Sequence, residues 1–125
     1  MIVFSAPGHP CAWQRVGNAN DGHHIDTSRN ITQKLSIAWE AKAARVRPVA
    51  RPGIVLVGVV AYLDPKGAHT PFPTRRKDGD KDNYDKLVMD ALNGVAWVDD
   101  VQVYSASIDK FYGNEYQIEV VIEYL

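Results

Sequence analysis

The eleven residues from Gly53 to Leu63 carry no charge and are rich in Val and Ile. Such a run reads as a buried central strand, so the rest of the chain must provide neighbouring strands and layers to cover it. Its apolar part, Ile54 to Leu63, is too short to cross a bilayer as a helix. The opening Met-Ile-Val-Phe-Ser-Ala lacks a basic leader and a long apolar region, and reads as a strand, not a signal peptide.

A second period is helical. Tyr84, Leu87, Val88, Ala91, Leu92 and Val95 recur at intervals of three and four, which places them along one face of an amphipathic helix. The other face is charged. Asp82, Lys86 and Asp90 stack at i, i+4 and i+8, and Asp80 stands just before the helix. Gly94 is expected to end the helix as its left-handed cap. A return of the chain after that cap could bring the pair Asp99-Asp100 back, with Asp100 beside Asp80 and Asp82.

Carboxylates held together repel, so a fold keeps such a group where a cation neutralises it, and hard oxygen ligands suit magnesium or manganese. Each residue taken singly is more economically a solvated charge. Acids near a helix N-terminus stabilise its dipole by about 0.3–1 kcal/mol each, and Asp82 with Lys86 has the spacing of an ordinary ion pair. Dipole arguments do not call for a second acidic pair after the helix has ended, so the joint pattern of Asp80, Asp82, Lys86 and Asp100 favours function. Asp85 and Asp99 add little to it.

The run Asp80-x-Asp82-Asn83-x-x-Lys86-x-x-x-Asp90-Ala91-Leu92-Asn93-Gly94, followed by Asp99-Asp100-x-Gln102-Val103, resembles the signature of RusA-type Holliday junction resolvases, found in bacteria and their prophages. Pro7-Gly8-x-Pro10 and Trp13-Gln14-Arg15 resemble the opening of that family. Tyr84 departs from the aliphatic residue usual there, yet fits the apolar stripe.

The resemblance implies a small homodimeric, magnesium-dependent endonuclease, a hydrolase that cuts branched DNA at paired positions. By motif position, Asp80, Asp82 and Asp100 are then the metal ligands and Lys86 the essential cation, with Asp90 and Asp99 in lesser roles. Mn2+ is a possible substitute for Mg2+. A twofold dimer would present two identical sites to the two related strands of a four-way junction. Phosphodiester hydrolysis needs charge offset and an activated water, and a lysine is a compact charge for phosphate. Two other readings share these residues: a non-catalytic junction-binding protein with a structural metal site, and a metal-dependent phosphoesterase acting on a small substrate.

Other chemistries fail on spacing. Asp78-x-Asp80-x-Asp82 imitates a calcium loop, but Asn83 and Met89 stand where glycine and glutamate are required. His9, His23, His24 and His69 form no metal-binding spacing, and one cysteine, Cys11, completes no zinc site. There is no glycine-rich phosphate loop and no Gly-x-Ser-x-Gly elbow. His23-His24 reads as exposed loop and Cys11 as a small, partly buried filler. A lone cysteine permits no internal disulfide, in keeping with a cytoplasmic location.

A net charge of −1 counts against DNA binding. Set apart the acidic cluster, and the remaining surface is positive on balance. Arg75, Arg76 and Lys77 directly precede the motif, where they would meet a phosphate backbone. Arg45, Arg47 and Arg51 follow one helix and are equally well explained as solubilising charge.

At 125 residues and 46% hydrophobic content, one domain spanning residues 1–125 is expected. Ile2 to Ala6 reads as a strand, followed by a loop from Pro7 to Thr27. A first helix is expected over residues 31–46, with Asn30 and Gln33 as a capping box and Ile31, Leu35, Ala38 and Trp39 as its apolar stripe. Asp64 to Asp80 reads as an extended loop that lies at DNA and orders on binding. Val101 to Phe111 and Tyr116 to Tyr124 read as strands joined by a hairpin turn at Tyr112-Gly113-Asn114. Tyr62, Phe72 and Trp97 are candidates for exposed aromatic contacts with a second copy or with unpaired bases. The order is β-α-β-α-β-β, an α+β fold in which two helices pack on a mixed sheet.

Overall fold

The computed structural model describes residues 1–12 and 28–125. The readings of Trp13-Gln14-Arg15 and His23-His24 lie outside the described residues, as does most of the expected loop from Pro7 to Thr27. Six elements follow in the expected order: strand β1 (Ile2–Pro7), helix α1 (Ser28–Ala43), strand β2 (Val55–Leu63), helix α2 (Lys81–Leu92), strand β3 (Val103–Tyr112) and strand β4 (Gln117–Tyr124). Short 3-10 turns at Arg76–Asp78 and Asp100–Gln102 precede α2 and β3.

The sheet has the order β1-β4-β2-β3 and is mixed. β4 runs antiparallel to both β1 and β2, while β2 and β3 are parallel. The hairpin expected at Tyr112-Gly113-Asn114 therefore does not form, because β2 stands between β3 and β4 and takes the backbone hydrogen bonds of both. The uncharged run singled out in the sequence is therefore an interior strand. Alternate residues of β2, from Val55 to Leu63, are buried, as are Ile118, Val120 and Ile122 on β4. The alternation read on β4 is thus correct. Ile37 and Ala41 of α1 and Leu87, Val88 and Leu92 of α2 complete this core. Burying each such aliphatic side chain stabilises the fold by roughly 1.5–3 kcal/mol before entropy is counted.

α1 docks on a different face from the one its periodicity suggests. Ile31, Leu35 and Trp39 are 46%, 66% and 72% exposed, whereas Asn30, Gln33, Ile37 and Ala41 are buried. Asn30 and Gln33 are not a capping box either, because the helix begins at Ser28. Their amides satisfy buried backbone instead: Asn30 Nδ2 donates to the Ala12 carbonyl at 3.1 Å and Gln33 Nε2 to the His9 carbonyl at 3.3 Å. Gln33 Oε1 accepts the backbone N–H of Cys11. The helix thereby ties down the chain that leaves β1. Arg45, with φ 66°, ends this region in the left-handed conformation.

α2 buries the expected stripe of Tyr84, Leu87, Val88, Ala91 and Leu92. It ends at Leu92, so Val95 lies beyond the helix, and Gly94 takes φ +81° as anticipated. Its N–H bonds the carbonyl of Trp97 at 2.8 Å. Trp97 is wholly buried and not an exposed aromatic, whereas Phe72 is 68% exposed.

Candidate functional site

The stretch from Asp64 to Asp80 is folded by its own hydrogen bonds. Arg75 is the organiser. Its guanidinium grips Asp78 through Nε at 3.1 Å and Nη2 at 3.0 Å, and its remaining N–H groups donate to the carbonyls of Lys66 at 2.7 Å and Asp64 at 3.0 Å. Tyr112 of β3 adds its hydroxyl to the Asp78 carboxylate at 2.7 Å, and its ring lies 5.3 Å beneath the Arg75 guanidinium. Tyr84 of α2 donates to the Asp78 carbonyl at 2.6 Å.

Asp78 is only 4% exposed. Burial alone would raise its pKa, but the bonds from Arg75 and Tyr112 outweigh that and hold the carboxyl below its ordinary range. Burial, helped by the charge of Asp78, pushes the Tyr84 hydroxyl up to about 12, so it remains a donor at any working pH. Tyr84 therefore does more than fill the stripe. Of the three expected basic contacts, Arg75 is committed inward, while Arg76 and Lys77 stay exposed.

Gly79 follows with φ +79°. A Cβ there would stand 3.0 Å from the Ala12 Cβ and 3.1 Å from the Tyr84 hydroxyl, so only glycine fits. Lys110 of β3 donates from Nζ to the Gly79 carbonyl at 2.7 Å. This joins the strand to the residue just before Asp80.

Asp80 occupies the N-cap of α2 in extended backbone, φ −76° and ψ 138°, and its side chain makes no capping hydrogen bond. A capping hydrogen bond is therefore not what its carboxylate provides. It lines a polar cleft of about 510 Å3 together with Thr74, Arg76, Asn83 and Lys110, among others. Asp82, in the first turn, is 84% exposed at its side chain and meets Lys81 at 3.1 Å, an exposed pair that contributes little to stability. Lys86 and Asp90 continue the exposed row along α2. Asp90 borders a groove with Ile31, Lys34, Leu35 and Ala38 of α1.

Asp85 is the acid that spacing undervalued. Its Oδ1 is buried with no hydrogen-bond partner. Burial first, and then repulsion from Asp82, raise its pKa. An orphaned carboxylate oxygen one turn into α2 is a group that a cation would satisfy. No sequence signal separated Asp85 from its neighbours, because partial burial depends on how α2 is seated.

The second acidic pair lies at the other end of the helix. Asp99 caps the turn at Asp100–Gln102 by accepting the Val101 N–H at 3.1 Å, and it approaches Arg51 at 4.0 Å. Asp100 Oδ1 accepts the Trp97 indole N–H at 2.7 Å. Gln102 fixes this corner, donating to the carbonyls of Val49 at 3.0 Å and Gly53 at 3.1 Å, near the start of β2. The twelve residues of α2 span about 18 Å. Within one chain the return of Asp100 to Asp80 and Asp82 does not occur, because the chain re-enters the sheet at the end opposite to the one where α2 begins.

In kind, these donors suit a hard divalent cation: carboxylates beside an ammonium group. In place, they do not fit one ion within one chain. Among the described residues, no group of three or more His, Cys, Asp or Glu side chains is positioned to hold a metal. Also among the described residues, no helix is long and apolar enough to cross a membrane.

The family model described as Endodeoxyribonuclease RusA matches residues 7–123. The chain is also similar to the uncharacterized protein YqaN of Bacillus subtilis (strain 168), with 49% identity over an alignment of 135 residues that covers 97% of this chain and 94% of the relative.

Proposed function

The chain belongs to the RusA endodeoxyribonuclease family, whose members are junction-resolving nucleases, and from that premise we propose that it is a magnesium-dependent endonuclease resolving Holliday junctions or related branched DNA in the cytoplasm. Manganese is the natural substitute ion. The observation that carries the reading is the location of Asp80: at the mouth of a cleft with Arg76, Asn83 and Lys110, uncommitted to helix capping, inside the family motif.

A divalent ion, when bound, supplies charge offset and an acidified water. The chain's own groups do the rest. Asp80 and Asp82 offer two carboxylates from the start of α2. Lys86, one turn further, places an ammonium where charge grows on the scissile phosphate. Arg76 and Lys110 line the path of the incoming backbone, where they would hold phosphates without reading sequence. The length of α2 keeps Asp100 away from this set in one chain, so a ligand role for Asp100 requires a homodimer in which a second copy supplies it.

A labelled four-way junction and its linear duplex counterpart, each incubated with magnesium or with chelator, test the reading. Paired nicks in the junction alone, dependent on magnesium and absent with Asp82→Asn, are expected. Junction binding without nicking under any divalent ion would replace the nuclease with an architectural protein. Hydrolysis of a small phosphate ester with the junction left intact would point to a phosphoesterase.

A further inference from the structure

Three cations stand in a row at Arg75, Arg76 and Lys77, and the fold sends each in its own direction. They occupy the N-cap and the first two positions of the 3-10 turn Arg76–Asp78, a geometry that sets neighbouring side chains about 120° apart. Arg75 turns inward. Four guanidinium hydrogen bonds go to Asp78, Lys66 and Asp64, which leaves no pair of free N–H groups for the forked grip an arginine takes on phosphate. Arg76 is exposed and lines the cleft of Asp80, while Lys77 lies within electrostatic reach of the Asp64 carboxylate.

Asp78 closes the turn. Besides the guanidinium, its carboxylate accepts the backbone N–H of Arg75 at 2.9 Å and the Tyr112 hydroxyl at 2.7 Å, and its carbonyl accepts the Tyr84 hydroxyl at 2.6 Å. One residue therefore pins the turn to β3 and α2 together. Lys110 stands two places before Tyr112, on the same side of β3, and it too lines the cleft. The network thus fixes Arg76 and Lys110 in one frame. Burying a carboxylate against an arginine adds little net stability, since desolvation offsets most of the attraction. What the bonds fix is direction.

We infer that Arg75, Asp78 and Tyr112 are positioning residues, which hold the turn before DNA arrives so that Arg76 already points into the cleft of Asp80. Arg75 then acts through Arg76 and touches no phosphate itself. The loop whose length suggests ordering on DNA is ordered in the free chain, which removes that ordering cost from the binding step. That DNA is what enters the cleft rests on the nuclease reading; the turn itself rests on its hydrogen bonds.

Hydrogen exchange on the free chain tests the preset turn, through the amides of Arg75, Asp78 and Gly79. Exchange about tenfold slower in the wild type than in Asp78→Asn or Tyr112→Phe is expected. Junction affinity across a salt series in chelator tests the aim. Arg76→Ala should flatten the plot of log affinity against log salt by about 0.9 in the wild-type background, as one lost phosphate contact does, and far less in Tyr112→Phe, which removes one hydrogen bond and no charge. Asp78→Asn should weaken junction binding several-fold although it removes a negative charge near the DNA; should that variant unfold, Tyr112→Phe carries the test alone. Equal flattening in both backgrounds, or none in the wild type, would overturn the inference. So would tighter binding by a folded Asp78→Asn, or amides that gain protection only when the junction is added. Neither readout uses cleavage. Coupled slopes in a chain that never nicks with magnesium refute the nuclease alone, and a nicking enzyme with uncoupled slopes refutes the positioning role alone. A chain that binds no junction at all would end both.

Discussion

The Lys110 ammonium donates to the Gly79 carbonyl at 2.7 Å, so a strand residue holds the backbone immediately before Asp80. Asp80 thus owes its orientation to a side chain thirty positions away in sequence, beyond the reach of any local motif.

Lys110→Met should lower the rate of junction cleavage by about tenfold or more, because loosening the Gly79–Asp80 turn displaces a carboxylate at the reacting end of the cleft. Single-turnover cleavage at saturating enzyme measures it. Lys110→Arg should recover part of the rate. Equal loss in both variants, together with a lowered melting temperature, would reduce Lys110 to a fold-stabilising residue.

Tyr84→Phe should destabilise the fold by about 1–3 kcal/mol, since it strands the buried Asp78 carbonyl that the hydroxyl now satisfies at 2.6 Å. The urea midpoint should fall with the slope unchanged. An unaltered midpoint would show that another donor fills the gap.

Asp82→Asn and Asp100→Asn should each abolish nicking when homogeneous, while an equal mixture that exchanges subunits regains it in part. In a mixed dimer, one site combines an intact Asp82 with an intact Asp100 from the other copy. Failure of the mixture to recover, with exchange verified, would mean that the two carboxylates never serve one site.

Leu87→Ala should cost about 2–5 kcal/mol, while Leu35→Ala should cost under about 0.5 kcal/mol. Both are leucines on a helical stripe, but Leu87 is fully buried and Leu35 is 66% exposed. Chemical denaturation of the two variants side by side decides whether α1 is seated as described.

Asp85→Asn should raise the melting temperature in metal-free buffer at neutral pH. Folding raises the pKa of Asp85, chiefly by burial, so ionisation opposes the folded state increasingly as pH climbs above the ordinary carboxylate value, and fully above the raised one. The advantage over the wild type should shrink as pH falls and the wild-type carboxyl takes up its proton. A variant less stable at every pH would show that this carboxylate is satisfied after all.

The contrast between α1 and α2 shows what could be read in advance. Leu87, Val88 and Leu92 pack where their spacing said, because no polar neighbour competes for that face. On α1 the equally regular Ile31, Leu35 and Trp39 face outward, since the amides of Asn30 and Gln33 are needed inside to satisfy backbone near residues 9–12. Periodicity registers apolar residues and is blind to a buried amide with a distant partner. The same blindness hid the Arg75–Asp78–Tyr112 network, whose members lie up to 37 positions apart. The acidic motif was visible as an ordered string of residues. The separation of Asp100 from Asp80 was not, because it depends on which end of the sheet the chain re-enters.

Gly79 sits wedged between Ala12 and Tyr84 with φ +79°. Its position therefore admits a single codon class: a saturation library should return glycine alone, while exposed Lys81 and Asp82 on its far side accept many residues for folding. Folding alone would let the surface of this helix start be rewritten, but the glycine that aims it has no alternative spelling.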